Sequence, residues 1–217
     1  MTEEFDGKAA ESSPNTSPQW PPLANLAPVQ KIESLHPAVM PATKLLDQCQ
    51  MSQLRRSGPG GQHRNKVSTA IVWLHKPTGI RAEASESREQ TRNRRHAFQR
   101  LRLQLAICIR TEPNQRWRET ILPGIIPENN SDEIESTIRG TWSSRKLRIS
   151  SKHEDFPSVV AIVLDDLHLA GGQPSLVGPL WQASTTAVVT LIASDQQCLA
   201  EVNRWRKHHD RKPLHAP

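Results

Sequence analysis

An α+β fold is predicted for this chain: a small, mainly antiparallel sheet with one packed helix and a projecting glycine loop, followed by a small all-α bundle. Three patterns predict it. A β-branched run, Val67 to Leu74, ends at the turn His75-Lys76-Pro77-Thr78-Gly79, after which Ile80, Ala82 and Ala84 alternate with polar neighbours as in a hairpin. Next, Ala97, Phe98, Leu101, Leu105, Cys108 and Ile109 recur at helical spacing, while Arg88, Arg92, Arg95, Gln99 and Arg102 occupy another side. Beyond Ser158 the chain breaks into short apolar segments separated by helix start and stop residues.

Residues 1–37 carry Pro14, Pro18, Pro21, Pro22 and Pro28 among Ser, Asn and Gln, a composition that buries too little apolar surface to order itself. A disordered leader is expected there. Around Pro41-Ala42-Thr43 a short helix carrying Leu45 and Leu46 leads into an edge strand near Gln50 to Arg55. With the hairpin and the Arg88 to Ile109 helix, these elements make a first domain at residues 38–110. The helix is expected to pack one face on the sheet and offer its arginine side to phosphates. Residues 111–157 are polar, with Trp117, Trp142 and an isoleucine-rich patch from Ile121 to Ile126, and read as a linker with no assigned structure. Its basic cluster of Arg139, Arg145, Lys146 and Arg148 is either an RNA contact or a solvated surface.

In the expected bundle, residues 158–208, Val160, Val163, Leu164 and Leu167 form a stripe that Gly171-Gly172 stops. A second helix starts at Pro174, shortened or kinked by Pro179; a third follows Ser184-Thr185, and a fourth follows Ser194-Asp195 with Cys198, Leu199, Val202 and Trp205. The arrangement is helix-turn-helix-like. Cations from Arg204 to Lys212 end the fourth helix and enter a basic tail, residues 209–217.

Composition supports two small domains with linkers, since only 35% of the 217 residues are apolar, 4% are aromatic and 17 are proline. The net charge of +6 is divided unevenly: residues 51–110 hold 13 Lys/Arg against 3 Glu, which leaves the remainder net acidic. Basic charge confined to one segment is the footprint of a phosphate-backbone partner. Cys49, Cys108 and Cys198 form no C-x-x-C pair, so neither a disulfide framework nor a zinc ribbon is indicated. The acidic N-terminus lacks an apolar signal core and no run approaches membrane-spanning length, so a soluble cytoplasmic protein is expected, with no membrane partner. His153, His168, His208, His209 and His215 lack a regular ligand pattern; no metal and no cofactor is expected.

The densest chemistry lies in Arg55-Arg56-Ser57-Gly58-Pro59-Gly60-Gly61-Gln62-His63-Arg64-Asn65-Lys66. Its glycines permit backbone geometries and close approaches closed to other residues, and four cations flank them, as suits a polyanionic partner. It is neither a Walker A loop, because no Gly-Lys-Ser/Thr closes it, nor a dinucleotide fingerprint, because G-x-G-x-x-G is absent. The stretch resembles instead the catalytic loop of class I peptide-chain release factors and related ribosome-rescue peptidyl-tRNA hydrolases that lack a codon-recognition domain. Ser57 to Lys66 fills every position of that pattern. The similarity continues through Val67-Ser68-Thr69-Ala70-Ile71-Val72, His75, Pro77-Thr78-Gly79-Ile80 and Arg88-Glu89-Gln90-Thr91-Arg92-Asn93, covering roughly residues 38–109.

The resemblance implies hydrolysis of the ester joining a nascent peptide to the 3′-terminal adenosine of transfer RNA, in the large ribosomal subunit. Gly60, Gly61 and Gln62 are then the catalytic residues. Arg55, Arg56, Ser57, His63, Arg64, Asn65, Lys66, Arg88, Arg92 and Arg95 are the RNA-binding set. Gln62 carries a neutral amide that cannot serve as a general base, so its work is positional: its side chain orients water and its N–H meets the oxyanion or leaving oxygen. The resemblance further implies ribosomal RNA and peptidyl-tRNA as partners, a glutamine methyltransferase acting on Gln62, and a monomeric protein.

Two decoys accompany the motif. Gly171-Gly172-Gln173 repeats the tripeptide, but no Lys or Arg lies between His153 and Asn203, so it reads as a helix C-cap before a proline-started helix. Pro41-Ala42-Thr43 mimics the P-x-T stop-codon reader, but only the proline-rich leader lies upstream, which favours codon-independent action on stalled ribosomes. The rival reading is a non-catalytic nucleic-acid- or ribosome-binding protein, including a helix-turn-helix regulator. Against the regulator, Ser184 to Ala193 holds no charged residue and no Asn or Gln to read bases.

Overall fold

The computed structural model describes residues 19–33, 35–54, 70–112 and 133–217. Its strands are β1 (Gln30–Ile32), β2 (Cys49–Leu54), β3 (Ala70–His75), β4 (Arg81–Ala84) and β5 (Ile109–Thr111). Its α-helices are α1 (Ala42–Asp47), α2 (Gln90–Cys108), α3 (Glu133–Ser144), α4 (Phe156–Leu169), α5 (Pro174–Leu180), α6 (Thr185–Ala193) and α7 (Gln196–His208). The architecture is the predicted α+β one.

β2, β3 and β4 form an antiparallel sheet in that order. Alternation along β3 sends Ile71, Trp73 and His75 to the buried face and leaves Val72 and Leu74 half-buried. The turn after β3 closes on Gly79, whose φ of +71° lies in the left-handed region that glycine enters without strain. His75 locks it. With Nε2 protonated, its ring donates to Gln48 Oε1 (2.9 Å) and accepts from the Thr78 hydroxyl (2.8 Å), and burial lowers its pKa.

α2 lies across β3 and β4, with Ala97, Leu101 and Leu105 buried and Phe98 edge-on to Trp73 at 5.8 Å. Two details differ from the spacing argument. Cys108 is exposed, and Ile109 leaves the helix to start β5. Arg102, expected on the phosphate side, is turned inward and donates to Ala38 O, Ser158 Oγ and Glu154 O.

The leader expectation is corrected for the described residues from 19 onward. β1 pairs in parallel with β5, Gln30 opposite Ile109, and Ala27, Ala38 and Val39 are buried. The segment forms a strap: His36 Nε2–H donates to Ile109 O (3.0 Å), and His168 Nε2–H, from α4, donates to Ala27 O (2.8 Å). Composition failed here because it counts only the segment's own apolar residues, whereas the strap fills its backbone hydrogen bonds with distant partners. Residues 1–18 lie outside the described set.

In the expected linker, residues 113–132, with Trp117 and the Ile121 to Ile126 patch, lie outside the described residues. Residues 133–144 form α3. There Trp142 is buried, and so is Arg139, whose guanidinium grips Asp166 through two hydrogen bonds of 2.8 and 3.1 Å. Arg139 is thus structural and not a surface RNA contact.

The C-terminal helices follow their local signals. Ser184 accepts from Ala187 N–H, and Asp195 accepts from Gln197 and Cys198 N–H. α4 ends in a Schellman motif, with Gly172 N–H bonded to Leu167 O and Gly171 N–H to His168 O. α4 is apolar nearly all round and packs against α2, so one buried apolar cluster runs through sheet and helices rather than two separate cores. The basic tail also folds back: Arg206 and Arg211 donate to the carbonyls of Gly172 and Gly171, and Asn203 pairs with the Leu214 backbone.

Candidate nucleic-acid interface

Gly60, Gly61 and Gln62 fall in residues 55–69, outside the described residues, as do Arg55, Arg56, Ser57, His63, Arg64, Asn65 and Lys66. What the structure describes is their mounting. Leu54, the last residue of β2, and Ala70, the first of β3, are register partners in the antiparallel ladder. The motif therefore leaves and re-enters the sheet at one end, between strands fixed by a full ladder.

That same end receives α2. Ala84, the last residue of β4, pairs with Ile71 next to Ala70, and α2 begins at Gln90 after a short turn. Asn93 is fully buried and staples this turn, accepting from Ser87 N–H (2.9 Å) and donating to Ser87 O (2.8 Å). Trp73 Nε1–H donates to Arg94 O, tying the first turns of the helix to β3. The helix N-terminus, with its partial positive charge, thus points to the end of the sheet that carries the motif.

Arg88, Arg92 and Arg95 are all exposed here. Arg92 makes only a loose pair with Glu89 at 3.6 Å, of little energetic consequence at an exposed site. Two neighbours that sequence reasoning did not single out have different work: Arg94 lies over the Trp73 ring (5.6 Å), and Arg100 binds Glu86 and the carbonyl of Glu83. Spacing separated the helix faces. It could not show which arginines are engaged. Asn93 and Trp73 were missed as positioning residues, because nothing in a single Asn or Trp announces a turn it will staple.

The second glycine pair is fully explained by packing. Gly171 and Gly172 adopt φ of +58° and +72°, and a Cβ at Gly172 would lie 2.5 Å from Arg206 Cγ. Gln173 donates to the carbonyls of Gln19 and Ala170. α5 and α6 meet at 105°, a helix-turn-helix angle, but α6 offers only Thr, Ala, Val, Leu and Ile. Pro41-Ala42-Thr43 builds the start of α1.

Comparison with known proteins agrees with this geometry. Residues 45–150 match the model of the RF-1 domain. A mitochondrial peptide chain release factor 1 of Kluyveromyces lactis is 35% identical over 88 residues, which is 41% of this chain and 22% of the relative. Peptide chain release factor 1 of Streptococcus pyogenes and of Streptococcus thermophilus is 48% identical over 50 residues, 23% of this chain and 14% of each relative. The match thus spans less than a quarter of the length of these curated relatives. No solved structure matches the chain. With the strand–motif–strand mounting and the following basic helix in place, residues 45–150, just under half of the chain, are similar to the RF-1 domain, the catalytic domain of class I release factors.

Proposed function

We propose that the chain is a ribosome-dependent peptidyl-tRNA hydrolase that releases nascent peptides from stalled ribosomes without reading a codon. The observation that carries this reading is the Ser57 to Lys66 motif, complete at every position and lying inside the RF-1 domain match. Gln62 orients the attacking water, and its backbone N–H meets the oxyanion or leaving oxygen; proton transfer falls to the RNA, since an amide has no basic site at ordinary pH. Gly60 and Gly61 let the backbone approach the terminal adenosine. Arg55, Arg56, Arg64 and Lys66, with Arg88, Arg92 and Arg95, neutralise phosphates, while Ser57, His63 and Asn65 complete the RNA contact.

The partners in this reading are large-subunit RNA, peptidyl-tRNA and a methyltransferase that modifies Gln62, and the protein acts as a single chain in the cytoplasm. One relative is a mitochondrial factor, so fractionation of cells is the check on compartment. Codon independence is supported by the structural use of Pro41-Ala42-Thr43 in α1. The test is release of labelled peptide from purified ribosomal complexes. Gln62→Ala should reduce release by about 10²-fold or more with ribosome binding retained, as for loss of a transition-state donor, whereas Gln173→Ala should leave it intact. Equal losses from the two changes would refute the assignment.

A further inference from the structure

The turn that closes α3 is a basic surface outside the motif. Residues 145–152 hold Arg145, Lys146, Arg148 and Lys152 and no acidic residue. All four are exposed, and among the described residues none lies within ion-pair distance of a carboxylate. Glu154 and Asp155 follow, with Asp155 N–H donating to His153 Nδ1 (3.1 Å).

The turn is built rather than loose. Leu147 N–H bonds to Trp142 O (2.9 Å) and Lys146 N–H to Ser143 O (2.8 Å), which makes a second Schellman motif. Trp142 and Leu147, the positions whose side chains meet in that motif, are both buried, and Arg145 lies 4.9 Å over the Trp142 ring. Where the equivalent motif on α4 uses Gly171 and Gly172, this one places Lys146 at φ 51° and Leu147 at φ 60°. A side chain in that region is sterically opposed. The lysine therefore stands where the α4 motif has a glycine.

The turn also extends a surface already described. Arg92 and Arg95 are exposed on one stripe of α2, and Arg102, roughly 15 Å along the axis from Arg92 but turned inward, donates to Glu154 O beside the turn and so fixes the turn next to that helix. We propose that the Arg145–Lys152 turn is a second docking surface for an RNA phosphate backbone, continuing the cationic side of α2 away from the motif end of the sheet. This deepens the ribosomal reading above and rests on it. RNA is favoured over an anionic membrane because the turn offers no exposed apolar anchor: Leu147 is buried and Ile149 half-buried.

The experiment uses the full chain, a fluorescent RNA hairpin and phosphatidylserine vesicles, with affinity read against KCl concentration. The variant Lys146→Asn, Arg148→Gln, Lys152→Gln leaves the Arg145–Trp142 stack in place. It should weaken RNA binding about tenfold or more and flatten the log–log salt slope by about 2, at 0.7–0.9 per lost phosphate contact. The single change Lys146→Gly should raise Tm by about 2–4 °C while weakening RNA binding, opposite signs that a merely structural role would not produce. Unchanged affinity and slope, stabilisation without loss of binding, or tighter binding to vesicles than to RNA would overturn the proposal. Peptide release by the unaltered protein, assayed in parallel, separates the two readings: absent release with the RNA results intact removes the hydrolase and keeps the surface.

Discussion

Asp165 and Asp166, consecutive on α4, each hold a buried arginine delivered by a different element. Asp166 takes Arg139 from α3 in a bidentate grip and also accepts from Trp181 Nε1–H (2.6 Å), while Asp165 takes Arg110 from β5 at 2.7 Å and accepts from the Thr111 hydroxyl. The Arg139 guanidinium lies 4.7 Å over the Trp181 ring. Desolvation costs both ions dearly, so such pairs specify which helix lies where more than they add net stability. Removing one partner is another matter. Asp166→Ala should destabilise the protein by about 3–5 kcal/mol, because buried Arg139 loses its bidentate partner and keeps the contact with Glu135 at 3.2 Å as a carboxylate pair, and Arg139→Met with Asp166→Leu should recover most of that loss. Urea melts of the single and double variants decide it; a single variant as stable as the unaltered chain would show that water reaches the pair.

At the scale of elements, the strap from residue 19 to 40 has a built-in sensitivity to acid. Burial, reinforced by the Arg110 charge, lowers the pKa of His36 to about 3, and burial likewise lowers that of His168 to about 4. Both rings can bind a proton only when the strap opens, so their contribution is fully present above about pH 6.5 and is lost as pH falls towards 4. Glu135 and Asp165 act in the opposite sense. Burial raises them to about 7 and about 6, so they take up protons in the folded state and return stability on acidification, but they sit on α3 and α4 rather than on the strap. Hydrogen exchange at pH 7 and pH 5, corrected for intrinsic rates, should show protection lost at Lys31 and Ala38 before the middle of α2. Equal loss in both places would mean that the strap has no separate opening.

For the whole molecule, α2 is the common wall: the sheet covers part of it and α4 covers another part, with Arg102 reaching Ser158 and Arg110 reaching the Ala161 carbonyl. The RF-1 segment is therefore not a free-standing module here. A chain ended after residue 150 should lose cooperative unfolding and near-ultraviolet tryptophan signal, since it removes Ser158, Asp165 and Asp166, which bind Arg102, Arg110 and Arg139. A truncated protein with a sharp, unshifted melt would contradict this. At the same scale, release should proceed equally on complexes presenting sense, stop or no codon in the A site, and strict dependence on a stop codon would sink the rescue reading.

Features settled within a turn or two of chain were legible in the sequence. The turn of the hairpin, the spacing of Ala97, Leu101 and Leu105 on α2, the caps Ser184 and Asp195 and the Gly171-Gly172 stop each depend on neighbours four or five residues away at most. The motif, too, was legible, because a glycine-rich loop and its flanking cations are contiguous. Tertiary structure alone decided which arginines face solvent: Arg88 and Arg95 remain exposed, while Arg139 is buried by an aspartate 27 residues further on. It alone ordered the strap, whose strand pairs with residues 109–111 and whose carbonyls are satisfied by His168 and Arg204. The reason is the same in both cases: burial and hydrogen-bond partners set a residue's role, and when they come from distant chain no local pattern carries them.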